Sequence, residues 1–576
     1  MRCCLLPALM LAFCCTFDHC LAAENDNPHD RLYVEIENLD RSQLIELILS
    51  GVDIAGVHGA TARAHVSAER LAQLRSRGLT VEVLPETRDH YLGLTSGYHS
   101  HAELTAELQA IESSYPGICR LYNIGNSVQG RALWFMKISD NVDLEEDEPE
   151  FKYISSMHGD EVVGMELCLN LIQLLAGSYG TDPQITNLVN ELEIWIMPLM
   201  NPDGYTMGSR YNAQGVDLNR DFPDRVNDPI NTTAGRAVEV RHVMNWAFAH
   251  STVLSANFHG GARVVNYPYD SDPNPWANYS ATPDDALIRE LSLTYSRLNA
   301  NMYNSPWFNQ GITNGVEWYL IYGGMQDWNY VWQGCSEVTI ELFDTKWPAY
   351  SQIAGLWNEN RASMLAYMEA GLTGARGLVQ DSVSGQPVNA TVRVVGIDHD
   401  VFTDPDVGDY HRLLLPGSYS LRFSADGYQT QTVVGVVVGS GNATRVDVPL
   451  VPLGYTDLGS GLSGTGGLTP ELSGGGPLTP GSQNRLQLSQ ARPGATSYLV
   501  VGVTAGNSPL KGGILVPDPL VILPGLPVDA LGELGIGFNA PAGAAPGNRF
   551  YVQHWIEDPG GPQGFAASNG LEAQIQ

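Results

Sequence analysis

His158 and Glu161 stand three positions apart in "SSMHGDEVVG", directly after the apolar run "FKYI". A turn at a strand end can aim both side chains at one point, as two ligands of a hydrolytic metal centre must be aimed. A surface turn with two polar residues fits the same stretch. Such a centre takes about three protein ligands from His and Asp/Glu and keeps one position open for water. The remaining ligand must come from another strand end. "VLSANFHGG" supplies His259, again after an apolar run, with two following glycines that permit close backbone approach. The competing reading of His259 is a buried core histidine. Ligands of these types accept zinc, and also cobalt or nickel.

The surrounding pattern has to place these residues on one sheet. From about residue 95 to 370, amphipathic helices such as "HAELTAELQAIESSY" and "VVGMELCLNLIQLLAG" alternate with nearly continuous apolar runs such as "EFKYISSM", "ELEIWIMPLM" and "SEVTIELF". Apolar strands separated by helices predict an α/β domain with a buried, mixed and largely parallel sheet. Residues 24–88 carry a β-α-β-β-α-β pattern that predicts a ferredoxin-like α+β module. Its position fits a prosegment or an ordinary accessory domain. Residues 373–453 are short, alternating, turn-bounded runs, which predict a small all-β sandwich. Residues 454–484 are rich in Gly, Ser, Thr and Pro, the composition of a flexible linker. Residues 485–576 read as a further β-rich module without identifiable chemistry. The catalytic candidate domain then spans 89–372.

The chain has 576 residues and a formal net charge of −32 with a pI near 4.6. That charge repels nucleic acid and anionic membranes and attracts cationic ligands. "MRCCLLPALMLAFCCTFDHCLAAEN" has Arg2, a short apolar core and small residues before Glu24, the pattern of a secretory signal peptide over residues 1–23. Secretion, or a periplasmic location in a Gram-negative host, is the expectation. No run of about 18 apolar residues predicts a membrane span. Five of the eight cysteines lie in the leader, so Cys119, Cys168 and Cys335 remain. One pair plus a free thiol is open to them, and none sits in a CxxC that would ligate metal.

Taken together, "HGDEVVGMELCLNLI", "IMPLMNPDGY", "GVDLNRDFPD", "LSANFHGGARVVNYPYD", "GITNGVEWYLIYGGMQDWNY" and "SEVTIELF" resemble, in order, the signature blocks of zinc metallocarboxypeptidases. The resemblance is nearest to the regulatory subfamily that includes carboxypeptidases D, E, M and N, and it extends into the transthyretin-like sandwich of that subfamily. It implies one zinc ion held by His158, Glu161 and His259. It implies Glu341 as the catalytic glutamate, a carboxylate able to take a proton from water and pass it to the leaving amine. Glu337, the nearby competitor, reads as structural. Arg210 falls where the family steadies the oxyanion. Asn219 and Arg220 fall where it grips the substrate's terminal carboxylate, which selects exopeptidase action. Tyr319 matches the tyrosine that closes over that carboxylate. Without the family, Arg210 reads as a solvated surface residue and Tyr319 as a packing aromatic.

Asp270, eleven residues past His259, falls where the subfamily keeps an aspartate at the base of the side-chain pocket. Gln326 should line the same pocket. A buried carboxylate without a partner favours a Lys or Arg side chain; a plain turn residue in "PYDSDPNP" is the other reading. The expected function is removal of C-terminal Lys or Arg from peptides or proteins. Two alternatives stand beside it: a cell-wall amidase or peptidase of the same superfamily, and an inactive binding or adhesion protein. No partner protein is deducible.

Overall fold

A computed structural model describes residues 28–84 and 97–576. The leader expected over residues 1–23 lies outside the described residues. Among the described residues, no helix is long and apolar enough to cross a membrane.

The central element is an eight-stranded sheet, in the order Ile312–Asn314, Ala262–Tyr267, Ser336–Phe343, Thr252–His259, Glu150–Ser155, Glu193–Met197, Ala132–Ile138 and Cys119–Asn126. Its middle is parallel: Glu150–Ser155 pairs in parallel with both Thr252–His259 and Glu193–Met197, and Ser336–Phe343 pairs in parallel with Thr252–His259. Antiparallel pairings close the Cys119 edge. Helices cover both faces, so neighbours on one strand enter different cores. Tyr153 packs with Leu167, Leu171 and Phe258, while Ile154 packs with Met197, Met244 and Trp328. This two-sided burial is why the strands read as continuous apolar runs and not as alternating ones. Local signals start the helices. Ser100 and Glu103 form a capping box at the head of His101–Ser114.

Residues 28–84 form a four-stranded antiparallel sheet, ordered Asp53–His58, Thr61–Val66, Leu32–Glu37, Thr80–Val83, with helices Arg41–Leu49 and Ala68–Ser76. Thr61–Val66 alternates in burial, but the four inner residues of the edge strand Asp53–His58 are all buried. Its second face lies on the α/β domain. The module's core is continuous with Ala262, Val264, Phe308, Trp318, Tyr319 and Ile321.

The sandwich after residue 373 has two four-stranded sheets enclosing Val379, Val392, Tyr410, Leu421, Phe423 and Val448. It is tied to the α/β domain by Arg412, whose guanidinium donates to both oxygens of Asp284 at 2.7 and 2.9 Å, all buried.

The linker expected over 454–484 is corrected. Tyr455–Asp457 pairs with Leu571–Gln574, and Glu471–Gly475 pairs with Gln483–Ser489, so this stretch belongs to the C-terminal β module. Several of its glycines, among them Gly464, Gly474 and Gly476, permit close contacts. A Cβ at Gly474 would come within 2.1 Å of the Tyr455 ring. The module also holds the sandwich: Gly476 N–H donates to Asp381 at 2.6 Å. Cys119, Cys168 and Cys335 are all buried free thiols, so the pairing left open by the sequence is not made.

Candidate active site

Parallel strands present the residues beyond their carboxyl ends to one crevice, the usual ligand position in an α/β sheet. His158 follows the strand Glu150–Ser155, Glu161 precedes the helix Val163–Ser178, and His259 ends the strand Thr252–His259. The three converge. His158 Nδ1 lies 3.0 Å from Glu161 Oε2 and 3.0 Å from His259 Nδ1, and His259 Nδ1 lies 2.8 Å from the same Glu161 oxygen. Each residue is about 3% exposed. Of the two glycines after His259, Gly261 is needed for its φ of +127°, whereas a Cβ on Gly260 would meet nothing closer than 3.6 Å.

Two imidazole nitrogens and a carboxylate oxygen facing one another at such distances form a donor set that lacks enough protons to join it. A cation bound by all three resolves that, and His₂Glu donors suit zinc. Asp217 holds the set from behind. Its Oδ1 lies 3.0 Å from His158 Nε2, and its Oδ2 accepts from Arg210 Nε at 3.0 Å and pairs with Arg210 Nη2 at 2.7 Å. Arg210 is therefore buried, not solvated, with Nη1 3.1 Å from His158 Nδ1. Lys346 reaches Asp160 Oδ2 at 3.1 Å and the outer oxygen of Glu161 at 3.2 Å. Asp217, Asp160 and Lys346 carry no role in the sequence reading. Asp217 sits inside the quoted "GVDLNR" and Lys346 five residues past Glu341, so both were within reach of it.

Glu341 stands on the neighbouring strand in register with His259. It is buried, and its Oε2 has no hydrogen-bond partner. Burial and the nearby Glu161 push its carboxyl well above the usual range, against the opposing fields of Lys346 and Arg210. Glu337, four residues earlier, is taken up elsewhere: it accepts from Asn257 at 2.8 Å and Asn329 at 2.7 Å, and from Ser255.

Asn219 and Arg220 lie in the single turn Leu218–Arg220, capped by Asp217. Tyr319 ends the short helix Gly315–Trp318 and stacks edge-on with Trp318. Asn219, Arg220, Tyr319 and Glu341 line one cavity with the three metal-ligand candidates. Asp270 is buried behind it, with Asn266 Nδ2 donating to its Oδ1 at 2.8 Å. Burial raises its carboxyl to about 7, against the Asn266 hydrogen bond and the Arg220 charge. Gln326 also opposes that rise, although no hydrogen bond of ordinary geometry joins it to Asp270. Asp327 anchors the Asp270 turn by accepting from the Asp270 and Ser271 N–H groups at 3.0 and 3.3 Å.

The cavity is only about 10 Å³, and Ala55 of the N-terminal module is part of its lining. Arg220 Nη2 donates to the Ile54 carbonyl at 3.1 Å, Trp318 Nε1 donates to the Val57 carbonyl at 2.8 Å, and Arg210 lies 3.8 Å from Asp53.

The zinc carboxypeptidase family profile matches residues 104–363, and the carboxypeptidase regulatory-like domain profile matches residues 374–451. Carboxypeptidase SOL1 of Arabidopsis thaliana is 42% identical over 366 residues, which cover 63% of this chain and 74% of that one. The chain belongs to the zinc carboxypeptidase family. The catalytic chain of mouse carboxypeptidase N is 38% identical over 398 residues, covering 62% of this chain and 86% of its own. Human carboxypeptidase D is 44% identical over 374 residues. That alignment covers 62% of this chain but only 27% of the human protein, so the chain spans about a quarter of that relative's length. The α/β domain followed by the regulatory-type sandwich is thus the family's architecture.

Proposed function

We propose that this protein is a secreted zinc-dependent carboxypeptidase that removes C-terminal Lys or Arg from peptides or proteins. The observation that carries the reading is the convergence of His158, Glu161 and His259 within 3.0 Å of one another, with Glu341 in register beside His259. His158, Glu161 and His259 would hold the zinc, which supplies Lewis acidity and makes water a nucleophile near neutral pH. Arg220 and Asn219 orient the substrate by its terminal carboxylate, and an internal peptide bond offers none. Arg210, held rigid by Asp217, places positive charge where the carbonyl oxygen becomes negative. Glu341, with one oxygen free, receives the proton from water and delivers it to the leaving amine. Tyr319 closes the crevice and excludes solvent. Asp270 pairs with a basic side chain.

The same geometry supports latency. The Ile54 carbonyl occupies the Arg220 guanidinium that a substrate carboxylate would need. Residues 28–84 then act as a cover that must be moved or removed.

The test is kcat/KM for peptides differing only in the last residue, measured on the full chain and on a chain starting near residue 88, with and without chelator. Chelator-sensitive release of Arg and Lys over Phe supports the reading. Absence of any such release from the shortened, zinc-loaded chain defeats it in favour of a binding protein. Cleavage of cell-wall amides alone favours the amidase.

A further inference from the structure

Asp160 stands between the two ligand candidates of "HGDE" and has no part in the chemistry above. It is buried, and its Oδ2 lies 3.1 Å from Lys346 Nζ. The Lys346 ammonium is buried as well and lies 3.2 Å from Oε1 of Glu161. A buried ammonium is tolerated where carboxylates pair with it. Lys346 reaches this position from the loop beyond the strand Ser336–Phe343. Its carbonyl accepts from the Val162 N–H at 3.2 Å, and its Cα lies 3.6 Å from where a Cβ on Gly260 would stand. Lys346 is therefore wedged between the turn that carries Glu161 and the turn that follows His259.

The two oxygens of Glu161 have different partners. Oε2 lies 3.0 Å from His158 Nδ1 and 2.8 Å from His259 Nδ1, and it accepts from the Gly260 N–H at 3.2 Å. Oε1 meets cations instead: Lys346 Nζ at 3.2 Å and Arg210 Nη1 at 3.6 Å. Arg210 is committed to Asp217 through Nη2 at 2.7 Å, so Lys346 is the nearer restraint on Oε1. A carboxylate can give a metal one oxygen or two. A second oxygen from Glu161 would compete for the position that a hydrolytic centre keeps open for water.

We infer that Lys346 is a positioning residue that holds Glu161 to a single oxygen toward the zinc, and that Asp160 holds Lys346 in place. The inference rests on the zinc reading of His158, Glu161 and His259. Groups that bond the far side of a metal ligand fix its orientation, and here the far side is Oε1. The relay from Asp160 through Lys346 to Glu161 accounts for the acidic residue inside the motif. It also accounts for a lysine buried beside a site that has to attract a cation.

The test uses the full chain with cobalt in place of zinc, because cobalt accepts the same donors and its visible absorption reports how many ligands it has. Wild type should show the strong bands of a four-coordinate ion. K346M should show the weaker bands of a five-coordinate one, still with one metal per chain. D160N/K346M leaves neither partner of the buried pair charged, and it should match K346M. K346R keeps a cation beside Oε1 and should restore the wild-type spectrum. Unchanged spectra in K346M and D160N/K346M overturn the inference. So does a K346R spectrum like that of K346M, which assigns the effect to packing, and so does a folded K346M that holds no metal. A crystal structure of the zinc-loaded wild type decides even if the variants fail to fold: Oε2 alone on the metal supports the inference, and both oxygens on it overturn it. A wild type that takes up no metal would defeat the zinc reading itself, whereas a metal held by both oxygens defeats only the role of Lys346.

Discussion

Ile54 and Arg220 are joined across two domains: the Ile54 carbonyl accepts from the Arg220 guanidinium at 3.1 Å, at the edge of a sheet whose next strand is missing. An edge strand leaves backbone groups that must find partners. Here the catalytic domain supplies them, through Arg220 to Ile54 and through Trp318 to Val57. On the proposed reading, the Arg220 group that grips substrate is the one the module holds.

The opening equilibrium should respond to module contacts that lie outside the crevice lining. Arg41 donates to the carbonyls of Ala277, Val316 and Glu317 at 2.6, 2.7 and 3.1 Å, just ahead of Trp318 and Tyr319 of the crevice lining. Arg41→Ala removes these partly exposed contacts, at a cost of about 1–2 kcal/mol to the covered state. Basal activity of the full chain should rise roughly 5- to 30-fold, while the chain starting near residue 88 lacks Arg41 and sets the ceiling. Equal activity of the wild-type full chain and the shortened chain rules out latency.

Glu341→Gln keeps the shape of the side chain and removes its ability to take a proton. kcat should drop by about 10²- to 10⁴-fold, with KM and bound zinc nearly unchanged. A variant that instead loses its zinc would move Glu341 from proton transfer to metal binding.

Much of this site was legible because its residues sit in contiguous blocks at the ends of apolar strands. His158, Glu161 and His259 follow runs whose continuous apolarity reports a sheet buried on both faces, whereas Glu341 was marked only by the family resemblance. Asp217 was passed over because its local mark is only that of a turn cap, accepting from the Asn219 N–H, while its bonds to His158 and Arg210 appear only in the fold. Arg210 reads as a surface residue until Asp217 is seen beneath it. The docking of the N-terminal module had one trace, the unbroken "DIAGV" of a strand that ought to alternate, which signals a second buried face. The Gly-rich stretch 454–484 misled because composition cannot tell a glycine used for flexibility from one, such as Gly474, used to let an aromatic ring lie on the backbone.

Asp270 should trade stability for selectivity. Its carboxyl is raised from 3.8 to about 7 in the folded protein, chiefly by burial. A raised group contributes stability that is complete below the unfolded value and is lost as pH rises through about 7. Asp270→Asn should therefore melt higher than wild type at pH 8, by up to about 4 kcal/mol in free energy, with the gap closing toward pH 4. The same variant should lose the preference for Arg over Phe by at least about a hundredfold in kcat/KM. In the wild type that preference should weaken as pH falls below about 7, where Asp270 takes up a proton. An Arg preference that is flat from pH 5 to 8 and survives the substitution removes Asp270 from the pocket.

Asp217 should govern metal retention more than chemistry alone. It fixes which nitrogen of His158 faces the other two ligands, by bonding the opposite one at 3.0 Å, and it holds Arg210 through a second oxygen. Asp217→Ala frees the imidazole to rotate and leaves the buried Arg210 charge without its main partner. Zinc affinity, measured by competition with a chelating dye, should fall about 10- to 100-fold, and kcat/KM should stay low even when zinc is restored by excess. Asp217→Asn can still accept from Arg210 through its carbonyl oxygen, but it turns an N–H₂ toward His158. It should lose zinc affinity like the alanine variant yet recover more activity at saturating zinc. Matching recovery in the two variants would mean that the Arg210 contact contributes nothing to turnover, and that Asp217 acts on the metal ligand alone.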